Sequence, residues 1–507
     1  MTQMYEVEKE ILKNIEDKHG VNYKLKVENL HIDKKRLAMF ASICDKKDAG
    51  LKNMIKELET SNTIIYQLDK IIERIRKYNP VGDIEKGSFG EVFTPFWLIN
   101  EKLDKLDNNV WSNEKLKWLF PSNGIGNYAI IVVKRLMIGL ENKIPNENIR
   151  YKHIIEKMIY VCELQVKNMF LWMVSIDPKS KLKLNLFRGS FLSSEFDQHM
   201  KNVWKTDRFN ICPENPPYND EFKEDNNRPK TLYNLFVEKS IKICDQVLMI
   251  TPSRWLSGGF GLDNFREMMF NRSDIKLIKH YNDATKIFGS KVEIKGGVSY
   301  FLIDKNYNGE CNFNDNYCKL NKYDIFVEPK YHILLNKIIS DNTLSQICKA
   351  QSYFGFPGNE SLFTNTEQLD SLKVYVSKNK GLIMWVNKNI LDTNKIKGFK
   401  VFTPGAAGST NDLGKFGNKI IGYPNEVCSK SYMTLLVKSE EEAKYLISYM
   451  NTNFCNFFLS LRKKTQNLKP DSLKWIPLVP FDREWNDELL YKHFNLTQEE
   501  IDLIENK

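Results

Sequence analysis

At roughly 100–200 residues per domain, a chain of 507 residues allows about three domains, and 42% apolar and 12% aromatic residues exclude global disorder. Lys and Arg total 74 against 64 Asp and Glu, a net +10 that suits a polyanionic partner without demonstrating one, because net charge speaks to association and not to fold. The nine cysteines form no CxxC pair, Cys311 and Cys318 have no nearby His pair, the N-terminus is charged from Glu6 onward, and no apolar run approaches ~18–20 residues; a zinc site or other metal site, a disulfide scaffold, a signal peptide and a membrane span are not expected, and a cytoplasmic location is.

In chain order, residues 1–80 read as helical. Ile64, Ile65, Leu68, Ile71, Ile72 and Ile75 follow i, i+3, i+4, i+7 spacing, and Asn79-Pro80 stops the helix. Residues 30–60 are charged and suit a helical hairpin. From about 81 to 330 short apolar runs alternate with helical stretches, as in Met158–Cys162, Val247–Thr251 and Val298–Ile303. That alternation predicts an α/β fold with a mostly parallel, doubly wound sheet covered on both faces. Residues 331–485 are irregular and richer in Gly, Asn and Lys, which suits a separate α+β recognition domain, and 486–507 read as a helical tail. Within the recognition region Ser439 and Glu442 form an S-x-x-E capping box ahead of Ala443, Leu446, Ile447 and Met450.

The segment that carries chemistry is FNICPENPPYND at 209–220. In Asn215-Pro216-Pro217-Tyr218 two successive prolines fix φ and remove two backbone donors. The Pro216 carbonyl and the Asn215 side-chain oxygen are then two acceptors on a stiff loop, and Tyr218 supplies an aromatic face. An exocyclic NH₂ on a flat base requires that set. The amine of adenine is a poor nucleophile because its lone pair is delocalised into the ring. Two acceptors would draw it toward tetrahedral geometry and stabilise the positive charge that develops as it attacks a methyl donor. Taken alone the tetrapeptide also fits a rigid turn.

In its ordered motifs the chain resembles the gamma-class N6-adenine DNA methyltransferases, the restriction-modification methylases with a C-terminal target-recognition domain, over about residues 82–485. Gly90–Pro95 looks like the opening motif, whose Thr94-Pro95 lies beside the methionine end of S-adenosylmethionine. Phe120–Tyr128 looks like a degenerate methyl-donor loop, with Gly124 and Gly126 between a strand and a helix over Tyr128–Leu140. Glu163 closes the apolar strand Tyr160–Glu163, where the resemblance implies a carboxylate on the ribose. It lies 37 residues past Gly126 rather than ~20, so an insertion around 141–152 is expected. Arg188–Leu192 resembles the segment contacting the donor's adenine, with Ser190 and Phe191. Asn215 to Tyr218 is the catalytic loop. Thr251–Trp255 matches the strand-end motif after it, and Gly296–Phe301 the late strand flanking the flipped base. On that strand Tyr300 and Phe301 alternate, so only one can face the site. Lys463–Gln466 and Trp475–Leu478 resemble the close of the recognition domain.

The chain departs from the family at two places. Phe120 stands where an acid contacts the donor's amino group, and Ser190 where an acid holds the donor adenine's amine. The resemblance implies a site-specific DNA adenine-N6 methyltransferase using S-adenosylmethionine, acting on double-stranded DNA beside a separate restriction endonuclease. The departures leave open a weak or lapsed methylase that acts as a DNA-binding protein. Flipping the target base costs a few kcal/mol, and Arg462, Lys463 and Lys464 are expected at phosphates.

Overall fold

The computed structural model describes residues 64–77, 94–177, 181–220, 230–256, 261–289, 294, 296–356, 362–376, 382–406, 414–463 and 467–506. The charged 30–60 segment and the Asn79-Pro80 stop lie outside the described residues. The chain divides into two compact units between Lys322 and Tyr323.

In the first unit the strands are β1 (Trp118–Phe120), β2 (Ile159–Glu163), β3 (Asn185–Arg188), β4 (Phe209–Glu214), the short pair β5 (Asn219–Asp220) and β6 (Lys230–Thr231), β7 (Cys244–Pro252), β8 (Ile275–Tyr281), β9 (Val298–Asp304), β10 (Cys311–Phe313) and β11 (Asn316–Cys318). All but β5 and β6 join one sheet in the order β11-β10-β8-β9-β7-β4-β1-β2-β3. The stretch β3-β2-β1-β4-β7 is parallel, and β9 runs antiparallel between β7 and β8. This is the doubly wound sheet expected from the sequence, with β9 reversed within it and β11 reversed at its edge. The chain leaves β1 toward β2 and returns to the other side of β1 as β4. The carboxyl ends of β1 and β4 therefore border a topological switch point, the place where open α/β sheets bind ligands.

The helices are α1 (Ile64–Lys77), α2 (Phe96–Leu103), α3 (Asn127–Gly139), α4 (Glu147–His153), α5 (Val166–Ile176), α6 (Ser194–Asn202), α7 (Tyr233–Ile243) and α8 (Asp263–Phe270). Strand alternation sorts the two faces. Leu248 and Ile250 of β7 and Tyr300 and Leu302 of β9 share a core with Leu98 and Ile99 of α2, Ile130 and Val133 of α3 and Trp172 of α5. On the other face Phe301 meets Trp255, which packs on Phe265 of α8, while Phe191 meets Phe196 of α6 and Phe236 of α7. The expected insertion between α3 and β2 is α4 plus a π-turn over Ile154–Met158.

The second unit holds two small sheets. One contains β12 (Cys348–Lys349), β18 (Tyr432–Val437), β15 (Phe399–Pro404) and β16 (Ile420–Gly422); the other contains β14 (Leu382–Asn387), β13 (Ser371–Val376) and β17 (Glu426–Cys428). Helices α9 (Glu440–Met450), α10 (Asn453–Arg462), α11 (Asp487–His493) and α12 (Gln498–Glu505) share one core, in which Phe454 stacks on Phe494. The Ser439 hydroxyl caps α9 by accepting the Glu442 N–H at 3.1 Å, but the Glu442 carboxylate takes the Lys438 N–H at 2.8 Å instead of the one at Ser439.

Arg462 closes α10 with a side chain only 2% exposed. Its guanidinium grips both oxygens of Asp324 at 2.6 and 2.7 Å, reaches Asp471 at 2.8 Å, and lies over the Trp475 ring. Burial works against ionisation of Asp324 and Asp471. The hydrogen bonds and charge of Arg462, joined by Lys474 at Asp471, nevertheless hold both carboxyls below their usual range. Folded-state pKa values below the unfolded ones add stability that is present above the unfolded values and lost as pH falls through the folded ones. Arg462→Met should therefore lower unfolding stability by about 2 kcal/mol at pH 7, and the gap to the unsubstituted chain should narrow below pH ~4. Urea melts of both chains at the two pH values measure this.

Candidate active site

β1 ends in Phe120, fully buried in the core, so the strand end carries no acid. The chain then turns through Gly124 and Gly126, both left-handed at φ +56° and +97°. The two glycines do different work. A Cβ on Gly126 would overlap the Trp172 ring, so that residue is a close approach of the turn to α5. A Cβ on Gly124 would meet nothing within 4 Å, so the turn is open there. The Asn123 N–H donates to the Cys162 carbonyl at 3.1 Å, and the Gly126 N–H to Asn123 at 2.9 Å, which ties the turn to the end of β2.

Glu163 ends β2, and its carboxylate is buried beneath the turn. One oxygen accepts the Gly124 N–H and the other the Gln165 N–H, each at 2.7 Å. A carboxylate has about four lone-pair sites, so acceptor capacity remains beside the turn. The Ser122 hydroxyl and the Asn123 and Asn127 side-chain oxygens are buried with no hydrogen-bond partner among the described residues. Buried polar groups are ordinarily satisfied, so three unpartnered ones together beside an open glycine are an unusual feature of this turn.

Asn215 to Tyr218 follow directly from the carboxyl end of β4, next to this turn. Asn215 is half-buried and its side chain faces the Tyr218 hydroxyl. Its N–H donates to Glu214 Oε1 at 2.9 Å. Pro216 is buried and Pro217 half-buried. Tyr218 is 6% exposed; its carbonyl accepts the Leu232 N–H at 3.0 Å and its ring meets Tyr233 edge to face. Burial pushes the Tyr218 phenol well above its usual range, so it is a neutral hydroxyl at physiological pH.

Thr94 is buried against the Tyr128 hydroxyl, and the Pro95 carbonyl accepts the Leu98 and Ile99 N–H groups that open α2. Ser190 is exposed just past β3, its hydroxyl accepting the Leu192 N–H. Phe191 is 1% exposed, closed in by Phe196, Phe236 and Lys239, so its ring is part of the aromatic core and not a bare stacking face. Tyr300 and Phe301 alternate as expected, but both are fully buried and neither lines an open pocket. The Tyr300 hydroxyl donates to Glu101 alongside that of Tyr281, and Phe301 packs on Trp255. Arg462 is turned inward as described, which corrects its expected placement at phosphates, and Lys463 is buried as well. Lys464 and the opening residues Gly90–Phe93 lie outside the described residues.

Three residues at the site escaped the sequence reading: Lys102, Tyr128 and Glu214. Lys102 Nζ donates to the Tyr128 hydroxyl at 2.6 Å and to the Glu214 carbonyl at 3.0 Å, and all three are buried. One signal was available, since Lys102 falls on the buried stripe of α2 with Leu98, Ile99 and Leu103.

The fold defines an α/β protein with a doubly wound sheet, and its sequence is similar to restriction-modification methylases. Residues 125–288 match the Eco57I restriction-modification methylase family. Over 301 residues the chain is 28% identical to an adenine-specific methylase of Mycoplasma pneumoniae, covering 46% of this chain and 71% of that one. Among solved structures it is similar to a modification subunit of a type I restriction enzyme from Vibrio vulnificus (14% identity, TM-score 0.35, 55% of this chain and 60% of that one) and to the DrdV–DNA complex (12%, 0.48, 82% and 58%). The chain thus spans about three fifths of the length of those solved chains.

The two glycines should separate in stability. Gly126→Ala adds strain to overlap with Trp172 and should cost about 3 kcal/mol, whereas Gly124→Ala carries strain alone and should cost about 1 kcal/mol. Denaturant unfolding of the two variants tests the order.

Proposed function

We propose that this chain is a site-specific DNA adenine-N6 methyltransferase that uses S-adenosylmethionine and acts on double-stranded DNA, with a separate restriction endonuclease as companion. One observation carries the reading: the Asn215–Tyr218 tetrad follows the carboxyl end of β4, beside an open glycine turn at the end of β1, across the switch point of the sheet. S-adenosylmethionine supplies an electrophilic methyl group. The pocket fits such a ligand through the open face of Gly124, the buried polar atoms of Ser122, Asn123 and Asn127, and the Glu163 carboxylate for ribose hydroxyls. Thr94 and Pro95 stand beside the α3 entry through Tyr128. Ser190 and Phe191 follow β3, where the donor's adenine would lie.

The chain's own part is to bind and orient. A flipped adenine would present its amine to the Asn215 side-chain oxygen and the Pro216 carbonyl. Both accept N–H groups, drawing the nitrogen lone pair out of the ring and stabilising charge as it forms. Tyr218 would support the base plane. The proton can leave after methyl transfer, so no general base is assigned.

Asn215→Ala should reduce transfer of labelled methyl groups to DNA by about 10²–10³-fold while leaving DNA binding intact. Mass spectrometry of the DNA should report N6-methyladenine with the unsubstituted chain. Calorimetry showing no donor binding at millimolar concentration, together with unmodified DNA from expressing cells and retained DNA binding in a gel-shift assay, would instead favour a lapsed methylase that binds DNA.

A further inference from the structure

The chemistry proposed above leaves two buried charged side chains without a role. Lys102 is fully buried on α2, and Glu214 is 3% exposed at the last position of β4. They act on one peptide unit from opposite ends. Lys102 Nζ holds the carbonyl of Glu214 at 3.0 Å, and the Glu214 carboxyl holds the N–H of Asn215 at 2.9 Å. That carbonyl and that N–H belong to the same planar amide, the one through which the chain enters the tetrad. The second bond of Lys102, 2.6 Å to the Tyr128 hydroxyl, reaches the start of α3, two residues past Gly126. The result is a strut from the glycine turn's helix to the tetrad.

The strut is an expensive way to fill space. Burial brings the Lys102 amine down to about 7 and pushes the Glu214 carboxyl up to about 8, so each ionised form is disfavoured where it lies. Replacing a whole buried ion pair by apolar residues of similar volume is often neutral or stabilising, whereas removing one member leaves the other unpaired. A methionine would fill the Lys102 site without desolvation, but it could not hold a carbonyl.

We propose that Lys102 and Glu214 are positioning residues that lock the amide plane leading into Asn215 and, through Tyr128, fix the height of the tetrad above the glycine turn. Neither touches the reacting atoms. The proposal rests on the methyltransferase reading for its kinetic consequence and on geometry alone for its structural one.

The test uses the full chain with Lys102→Met, Glu214→Ala and Glu214→Gln, the last keeping an oxygen for the Asn215 N–H. Lys102→Met and Glu214→Ala should lower kcat about thirtyfold or more, with KM for donor and DNA within about threefold of the unsubstituted chain. Glu214→Gln should recover activity to within about fivefold. Thermal melts should show Lys102→Met and Glu214→Ala folded but less stable, since each leaves a buried partner unpaired, so kcat is read well below both melting temperatures. A kcat kept within about threefold in Lys102→Met, a loss confined to KM, or a Glu214→Gln variant as poor as Glu214→Ala would each overturn the proposal. If Lys102→Met fails to fold, the contrast between the two Glu214 variants decides. If the unsubstituted chain methylates no DNA, the enzyme reading fails by itself. Hydrogen exchange then judges the strut: about tenfold faster exchange at Asn215 and Tyr218 in Lys102→Met supports it, and unchanged exchange overturns it.

Discussion

The first unit depends on one topological constraint: β4 pairs with β1 on the side opposite β2. The pairing is thin, with Trp118 against Ile211 as its register, yet it sets everything downstream. Two parallel strands side by side send their following loops out of the same edge. The β1 loop carries the glycines and the β4 loop carries the tetrad, so residues about ninety positions apart open onto one crevice. The reversed strand β9 finishes the frame. It pairs with β7 from Gln246 against Asp304 to Pro252 against Val298, so the carboxyl end of β7 is no open edge.

Buried charge is handled differently in the two units. In the second, Arg462 pairs bidentately with Asp324, a geometry that a planar guanidinium suits. Lys400 in the same unit is fully buried and donates to the carbonyls of Ile396, Gly398 and Tyr423, a point charge in a cage of dipoles. Burial brings its amine down to about 8. In the first unit Lys102 makes only two such bonds, one of them to a phenol. Both amines are fully buried, and Lys102 has fewer acceptors than Lys400 to offset that burial.

Much of this was legible in the sequence, and the misses share a cause. The apolar runs at Met158–Cys162, Val247–Thr251 and Val298–Ile303 identified β2, β7 and β9 because a strand in a sheet covered on both faces is apolar on both. The tetrad was legible because two prolines leave the backbone few choices. Lys102 was not, because a lysine on an amphipathic helix ordinarily extends its stem and keeps its amine in water. Arg462 was misplaced for the converse reason. A basic run reads as a surface, and the partner that turns it inward, Asp324, lies 138 residues away. Which of Tyr300 and Phe301 faces the crevice could not be settled from alternation, since each side of β9 is covered by its own helices and both residues are buried.

The covered ring of Tyr218 bears on the proposed chemistry, and magnitudes decide how much. The acceptors of the tetrad owe their geometry to covalent restraint and to the bonds on the Glu214–Asn215 amide, so they persist whether or not a base is present. The Tyr218 ring is different, because it and Tyr233 meet in an edge-to-face pair. An aromatic pair of that kind is worth about 0.5–1.5 kcal/mol beyond its buried area. Extruding a base from a duplex costs a few kcal/mol, so uncovering Tyr218 is the smaller share of the work. The acceptors of the tetrad are held by proline rings and buried hydrogen bonds, whereas the Tyr218 ring rests on an edge-to-face contact with Tyr233.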